Sequence, residues 1–484
     1  MTVFAGIDAG TGGARCLLVD ERGRRVAYGE RAWTYTPDAH GFSTLDPDTA
    51  MDAIRGACRD ALVDLDPSRV TAIGVTSQRT GVAFLDADGR DLMIGPNADG
   101  RGAAYGMEAE RAHGPMVHRI AGRLPVMLYM PARLAWFREF EKQDVATALP
   151  LSDWIVWKLT GARCTEPTQA AELLVYDVSE RRWSDELLEA LEVPAGILPS
   201  VLGSGEPAGT VRDTSLGFVR GTPVVSAGAD TQCAILALGA IDERDVTVVA
   251  GTTMLASAAA ANASAEQARG LWRSPLQTGG FVLEAHCGEA GAFLTWFADL
   301  LGLDAGGTAE LATNGIPGAG GVIAVDPWPG SVEDFVLLRR AELSAPAPVL
   351  ALGRPRHDVA RAVIEGIAFG ARAGVASLEL ALGEPRRLFA AGGVARSQVF
   401  RVALAGSAER PVRVASESAS SALGAAMMAA ASHHGGVVEA IQTMADPGHD
   451  VAPRAADGYP AHYTAWRARA AALEAEAIRL STMT

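Results

Sequence analysis

Short apolar, β-branched runs alternate along this chain with segments whose apolar positions recur at helical spacing. The first run, VFAGID, passes through the turn AGTGGA into a second, RCLLVD, which closes at Glu21-Arg22-Gly23. Strand, tight turn and strand predict a hairpin over residues 3–20, not a strand feeding a helix. Residues 24–31 supply a third strand, and the segment from Pro47, PDTAMDAIRGACRDALVDL, has helical periodicity. A short β-branched strand over 70–76 ends in Ser77-Gln78-Arg79, and helical patterns follow at 153–159 and 184–191.

The pattern restarts near residue 224, where PVVSAGADTQCAILALGA reads as strand, polar turn and helix. Residues 245–258, DVTVVAGTTMLASA, then repeat the opening layout of β-run, Gly-Thr turn and β-run. The last third predicts a long amphipathic helix over 361–382, a strand at 387–391, a Gly392-Gly393 turn and a helix over 397–408. A strand at 412–415 and a helix over 422–432 complete it. Alternation of this kind in both halves implies an α/β fold, with domains expected at 1–240 and 241–484.

Length and composition agree, since 484 residues, 49% of them hydrophobic, are too many for one core. A formal charge of −15 with no cluster of Lys and Arg argues against nucleic acid or an anionic membrane as partner. The five cysteines, Cys16, Cys58, Cys164, Cys233 and Cys287, lie far apart without a C-x-x-C pair, so buried thiols in a reducing, cytoplasmic setting are expected. No basic n-region precedes the apolar start, as a signal peptide would require, and the small-residue stretch 419–431 is too short to span a bilayer.

Four segments carry candidate chemistry. In Asp8-Ala9-Gly10-Thr11-Gly12-Gly13, glycines let backbone N–H groups approach phosphate oxygens, Thr11 adds a hydroxyl, and Asp8 can hold a hydrated Mg²⁺. An ordinary tight hairpin would look the same. The dinucleotide fingerprint fails here, because position 15 is Arg and a β-run follows, and no G-K-[ST] occurs anywhere. Gly251-Thr252-Thr253 is a second uncharged turn in the matching place of the other half, which favours a pair of phosphate turns over two chance strand bends. Ala227-Gly228-Ala229-Asp230-Thr231-Gln232 sets an acid among small residues between strand and helix, as a general base or a helix cap. Ala391-Gly392-Gly393-Val394-Ala395-Arg396-Ser397 is a turn open enough for a flat ring.

In this order and at these separations the four segments resemble the FGGY carbohydrate kinases, of the wider actin, hexokinase and heat-shock ATPase group. The resemblance implies a two-domain actin/hexokinase-like (ribonuclease H-like) ATPase fold with an interdomain cleft, using ATP and Mg²⁺ on a small sugar or polyol. Asp230 would be the general base, and Asp8 and Asp230 the metal-associated acids. Thr11, Gly12, Gly13, Gly251, Thr252, Thr253, Gly392, Gly393 and Ser397 would contact the nucleotide. Gln78, Arg79, Thr80, Asp99, Asp230 and Thr231 would face the substrate, although Arg79, Arg101 and Asp99 fit surface or turn roles equally well. A homodimer is implied by the resemblance alone.

Departures from the family pattern bear on the substrate. Asn97 stands where many members carry Trp, and Gln78-Arg79-Thr80 matches neither the Gln-Arg-Glu of glycerol kinases nor the Met-His of xylulokinases. The DAGTG turn, the Asn97-x-Asp99-x-Arg101 stretch and Ser152-Asp153-Trp154 are similar to the autoinducer kinases of this family. A xylulose-like pentulose is the leading expectation, a linear polyhydroxy ketone the alternative, and a nucleotide-binding regulator without turnover the rival from another class.

Overall fold

The structure is a computed structural model that describes residues 2–326, 342–344 and 355–481. The chain opens with β1 (Val3–Gly10), β2 (Gly13–Asp20) and β3 (Arg25–Ala32), then α1 (Pro47–Leu62) and β4 (Val70–Ser77). Asp46 caps α1 by accepting the Thr49 N–H at 2.8 Å, Pro47 presets its first turn, and Ala50, Ala53, Ile54, Ala57, Cys58 and Ala61 form the buried stripe. Next come β5 (Val82–Leu85), β6 (Asp91–Gly95), α2 (Ala103–Ala121), α3 (Met130–Phe140), β7 (Thr147–Pro150), α4 (Leu151–Thr160) and α5 (Pro167–Ala171). After these come β8 (Pro207–Thr210), β9 (Pro223–Ala229) and α6 (Asp230–Ala237).

The later part contains β10 (Asp245–Ala250), β11 (Met254–Ala260), β12 (Trp272–Pro275), β13 (Phe281–Gly288), α7 (Ala290–Leu301) and α8 (Arg356–Leu382). It continues with β14 (Arg387–Ala391), α9 (Gln398–Ala408), β15 (Val412–Val414), α10 (Ser420–His434), β16 (His449–Val451) and α11 (Tyr459–Ser481). Two compact units result. One comprises Met1–Ile241, Arg273–Phe281 and Ala419–Asp446, and the other Asp242–Trp272, Val282–Ser418 and Pro447–Thr484.

In the first unit a six-stranded sheet runs β8-β9-β4-β1-β2-β3. Val3, Ala5, Ile7, Ile73 and Val75 face α1 together with Trp154 and Ile155 of α4 in one core. The other face receives α10, which returns to the first unit from late in the chain. The fit is steric. Gly6 and Gly74 let the helix backbone approach so closely that a Cβ on either would come within 1.8 Å of Ala422 O or 1.9 Å of Ala425 O. A smaller sheet, β6-β5-β7, packs against α2 and α3 through Val82, Phe84, Ala148, Ile120, Leu134 and Phe137.

In the second unit the sheet order is β13-β11-β10-β14-β15-β16. Its β10–β11 hairpin lies beside a parallel strand, β14, as the β1–β2 hairpin lies beside parallel β4. The repeat expected from sequence is therefore a repeat of topology. All five cysteines are buried and free. Among the described residues no helix is long and apolar enough to cross a membrane.

Candidate active site

Parallel pairing decides what meets at the end of the first sheet. Asp8 lies opposite Thr76 and Ala9 opposite Ser77, while Thr76 pairs with Gly228 and Ser77 with Ala229. The carboxyl ends of β1, β4 and β9 thus present Asp8, Gln78-Arg79 and Asp230 along one edge, where ligands of open α/β sheets bind. Asp230 is the first residue of α6 and Ala229 its cap; the Thr231 N–H donates to Asp230 Oδ1 at 2.7 Å. Burial first, and the Asp8 charge second, push the Asp230 carboxyl up to about 7, against the pull of Arg79. Asp230 keeps some solvent access even though packed protein surrounds its carboxyl. A carboxylate so poised changes protonation state near neutral pH, as a general base requires.

Asp8 is buried, with Oδ2 3.2 Å from Arg15 Nη1, and burial outweighs that guanidinium to raise its pKa. Its Oδ1 has no hydrogen-bond partner among the described residues. Among those residues no three His, Cys, Asp or Glu side chains form a ready metal cage. An orphaned carboxylate oxygen with a second carboxyl nearby fits a hard cation that keeps most of its water.

The wall beside Asp230 is more charged than the sequence reading foresaw. Glu172 Oε1 accepts from Arg79 Nε at 2.8 Å and lies 2.9 Å from Arg123 Nη2, so two guanidiniums share one buried carboxylate. Tyr129 is buried beside this trio, its pKa raised by burial. Thr80 sits at φ +59°, and its carbonyl accepts from Arg133 Nη1 at 2.5 Å; the same group reaches Gly95 O at 3.4 Å. Both Asp99 oxygens take Arg101 Nε, at 2.9 and 2.7 Å, in a buried pair. Gln78 is buried, with Oε1 accepting the Asn97 N–H at 3.0 Å and Nε2 3.1 Å from the Tyr35 hydroxyl.

The first turn is tied to that wall. Asn97 Nδ2 donates to Thr11 Oγ1 at 2.9 Å, and the Trp33 indole donates to Thr11 O at 3.1 Å. Thr11 is half-buried, Gly12 exposed and Gly13 buried. In the second unit, the Gly251 and Thr252 carbonyls each accept the Gly291 N–H at 3.0 Å, which seats the start of α7 on the turn, and Thr253 is exposed. Register places Ala391 opposite Val249, so Gly392 follows beside the same strand end. The Gly393 side of the turn is open, and the buried Ser397 hydroxyl has no partner among the described residues.

Comparison with known proteins assigns the chain. Residues 3–237 match the N-terminal domain, and 246–433 the C-terminal domain, of the FGGY family of carbohydrate kinases. The chain belongs to that family. It is 29% identical over 260 residues to the autoinducer-2 kinase of Yersinia pseudotuberculosis, a match covering 51% of this chain and 49% of that protein. The chain thus spans about half the length of the curated relatives it matches. The xylulose kinase structure from Rhodospirillum rubrum superposes with a TM-score of 0.83 at 25% identity, over 97% of this chain and 99% of that one. The ligand-bound xylulose kinase from Lactobacillus acidophilus reaches 0.85 at 19% identity, over 99% and 100%. The two-domain fold of this FGGY chain is therefore that of these kinases.

Several contacts around these residues of this FGGY chain escaped sequence reasoning. Glu172 left one signal, an acid inside the otherwise apolar AAELLVY run. Arg123, Tyr129 and Gly291 left none, and Asn97 stood out in sequence while its contact did not, because Asn97 and Thr11 are 86 residues apart.

Proposed function

We propose that this chain transfers the γ-phosphoryl group of ATP to a hydroxyl of a small sugar, ketose or polyol, with Asp230 as general base. The observation that carries the reading is the Asp230 carboxyl, raised to about 7 at the carboxyl edge of the parallel strands beside Asp8. In-line transfer needs the acceptor hydroxyl within hydrogen-bond reach of that carboxylate, so that its proton leaves as the oxygen attacks phosphorus. Nucleotide contacts are proposed for Thr11, Gly12 and Gly13, and for Gly251, Thr252, Thr253, Gly392, Gly393 and Ser397. Mg²⁺ is proposed at Asp8 and Asp230, where it would neutralise phosphate charge. Gln78, Arg79, Thr80 and Thr231, with Glu172, Arg123 and Tyr129, supply the acceptor wall, and Asp99 holds its shape through Arg101.

A xylulose-like pentulose is the first acceptor we propose. A linear polyhydroxy ketone is the second reading, favoured by the 29% identity to an autoinducer-2 kinase and by Asn97. The test is ADP release with MgATP over a panel of ketopentoses, tetritols, glycerol and the autoinducer-2 precursor. Turnover of one acceptor, cut by orders of magnitude in Asp230→Asn with ATP binding retained, is expected. Near-normal turnover in that variant, or no turnover on any acceptor, removes the proposal.

A further inference from the structure

The carboxylate at position 230 is carried by a strand end that cannot hold its own shape. β9 pairs with β4 at Ser226, slips register, and resumes at Gly228, which lies at φ +103° two residues before Asp230. A bulge with glycine at its apex is soft unless something outside the strand fixes it. Here α5 and the residue before it do so. Thr168 Oγ1 accepts the Ala229 N–H at 2.9 Å, and the Thr168 hydroxyl donates to Glu166 Oε1. The same oxygen takes the Gln169 N–H at 2.9 Å, and Glu166 Oε2 takes the Ser204 hydroxyl at 3.1 Å. On the other side of the bulge, the Gly228 carbonyl accepts the Thr76 hydroxyl at 2.6 Å and Gln169 Nε2 at 3.3 Å. Gln169 is itself moored to Ser152 Oγ at 2.8 Å and Ser77 Oγ at 3.3 Å. There is no room for a substitute packing arrangement: a Cβ at 228 would come within 2.5 Å of Thr168 Oγ1 and 2.9 Å of Glu166 Oε1.

The direction of these bonds matters. Glu166 Oε1 already accepts the Gln169 N–H, so it also accepts the Thr168 hydrogen and leaves the Oγ1 lone pairs to the Ala229 amide; burial raises the Glu166 pKa, and the Thr168, Gln169 and Ser204 donors oppose that rise. Glu166 and Thr168 are 1% and 0% exposed. Burying a carboxylate is costly, and one whose donors converge on the single peptide group between Gly228 and Ala229, just before Asp230, is better placed than a strand ladder needs. We infer that Glu166 and Thr168 are positioning residues for phosphoryl transfer, fixing Asp230 through the Ala229 amide. The inference rests on Asp230 being the base.

Thr168→Val keeps the volume and removes the acceptor; Thr168→Ser keeps the acceptor. With MgATP and the panel acceptor of highest turnover, Thr168→Val is expected to lower kcat about 10- to 100-fold per nucleotide-binding chain, with the KM for ATP within about 2-fold. Thr168→Ser should restore kcat to within about 3-fold of the parent. Amide exchange in a peptide containing Ala229 should quicken in the valine variant and not in the serine variant. If Thr168→Val fails to fold, Glu166→Gln, which turns one of the two acceptor oxygens into a donor amide, should lower kcat in the same direction. Unchanged kcat in a folded Thr168→Val, or equal loss in Thr168→Ser, overturns the positioning role while an inactive Asp230→Asn leaves the base assignment standing. An active Asp230→Asn fails the base assignment itself, and the positioning role with it.

Discussion

Thr80 holds a conformation that threonine disfavours. A β-branched residue at φ +59° is a genuine outlier, and the Arg133 guanidinium clamped on its carbonyl is what maintains it. Thr80→Gly should relieve the backbone and raise stability by about 1 kcal/mol in urea titration, while raising the acceptor KM. Loss of stability in that variant would show that the Thr80 side chain, not the backbone, holds the turn. Glu172 gives the opposite case. Replacing it by Gln leaves the charges of Arg79 and Arg123 without their shared carboxylate, and a loss of about 3 kcal/mol in unfolding free energy is expected. At this scale the sequence exposed what is written in contiguous residues. Asp8, Asp230 and the glycine turns stand in short motifs with a physical use, whereas the Glu172, Asn97 and Arg133 contacts exist only once distant segments meet.

The elements were easier to read than their neighbours. Both hairpins, the strand at Val70–Ser77 and the strand-to-helix step at Asp230 follow from apolar runs and turn residues, and they form as expected. The long helix starts at Arg356, earlier than its apolar stripe suggests, because Pro355 marks its boundary and the first turn is polar. What periodicity could not reveal was the destination of Ser420–His434, a helix of small residues without a clear polar face. Its partner is legible only in Gly6 and Gly74, whose missing side chains make the contact possible. Gly74→Ala should therefore cost more than about 3 kcal/mol, since the added methyl meets backbone and cannot be relieved by a rotamer change. Gly12→Ala, where a Cβ meets nothing within 4 Å, is the control and should leave the melting temperature unchanged. Comparable melting temperatures for the two variants would remove the close-packing account.

At the scale of the whole molecule, stability depends on carboxyl groups that folding takes out of water. Asp153 is the clearest: burial raises it to about 7, the Glu166 charge adds to the rise, and the hydrogen bonds of Ser226 and Thr165 oppose it. The Ser226 hydroxyl lies 2.5 Å from Asp153 Oδ1, and Cys164, itself pushed up by burial and by Asp153, completes the surroundings. Between about pH 4 and 7 the folded chain keeps a proton here that the unfolded chain has released, so this group makes unfolding easier as pH rises through that window. With 1.36 kcal/mol per unit, the ceiling is about 4 kcal/mol at pH 7 and above. Other groups contribute with either sign, since His434 is held below its ordinary value by burial and so favours the folded state as pH rises. The clean measurement is therefore a difference. Asp153→Asn mimics the protonated acid, so its stability relative to the parent should be near zero at about pH 4, already positive at pH 5 and largest at pH 8, read from paired urea midpoints. A difference that stays flat from pH 5 to 8 would mean that Asp153 is ionised in the folded chain, paired more strongly than Ser226 and Thr165 account for.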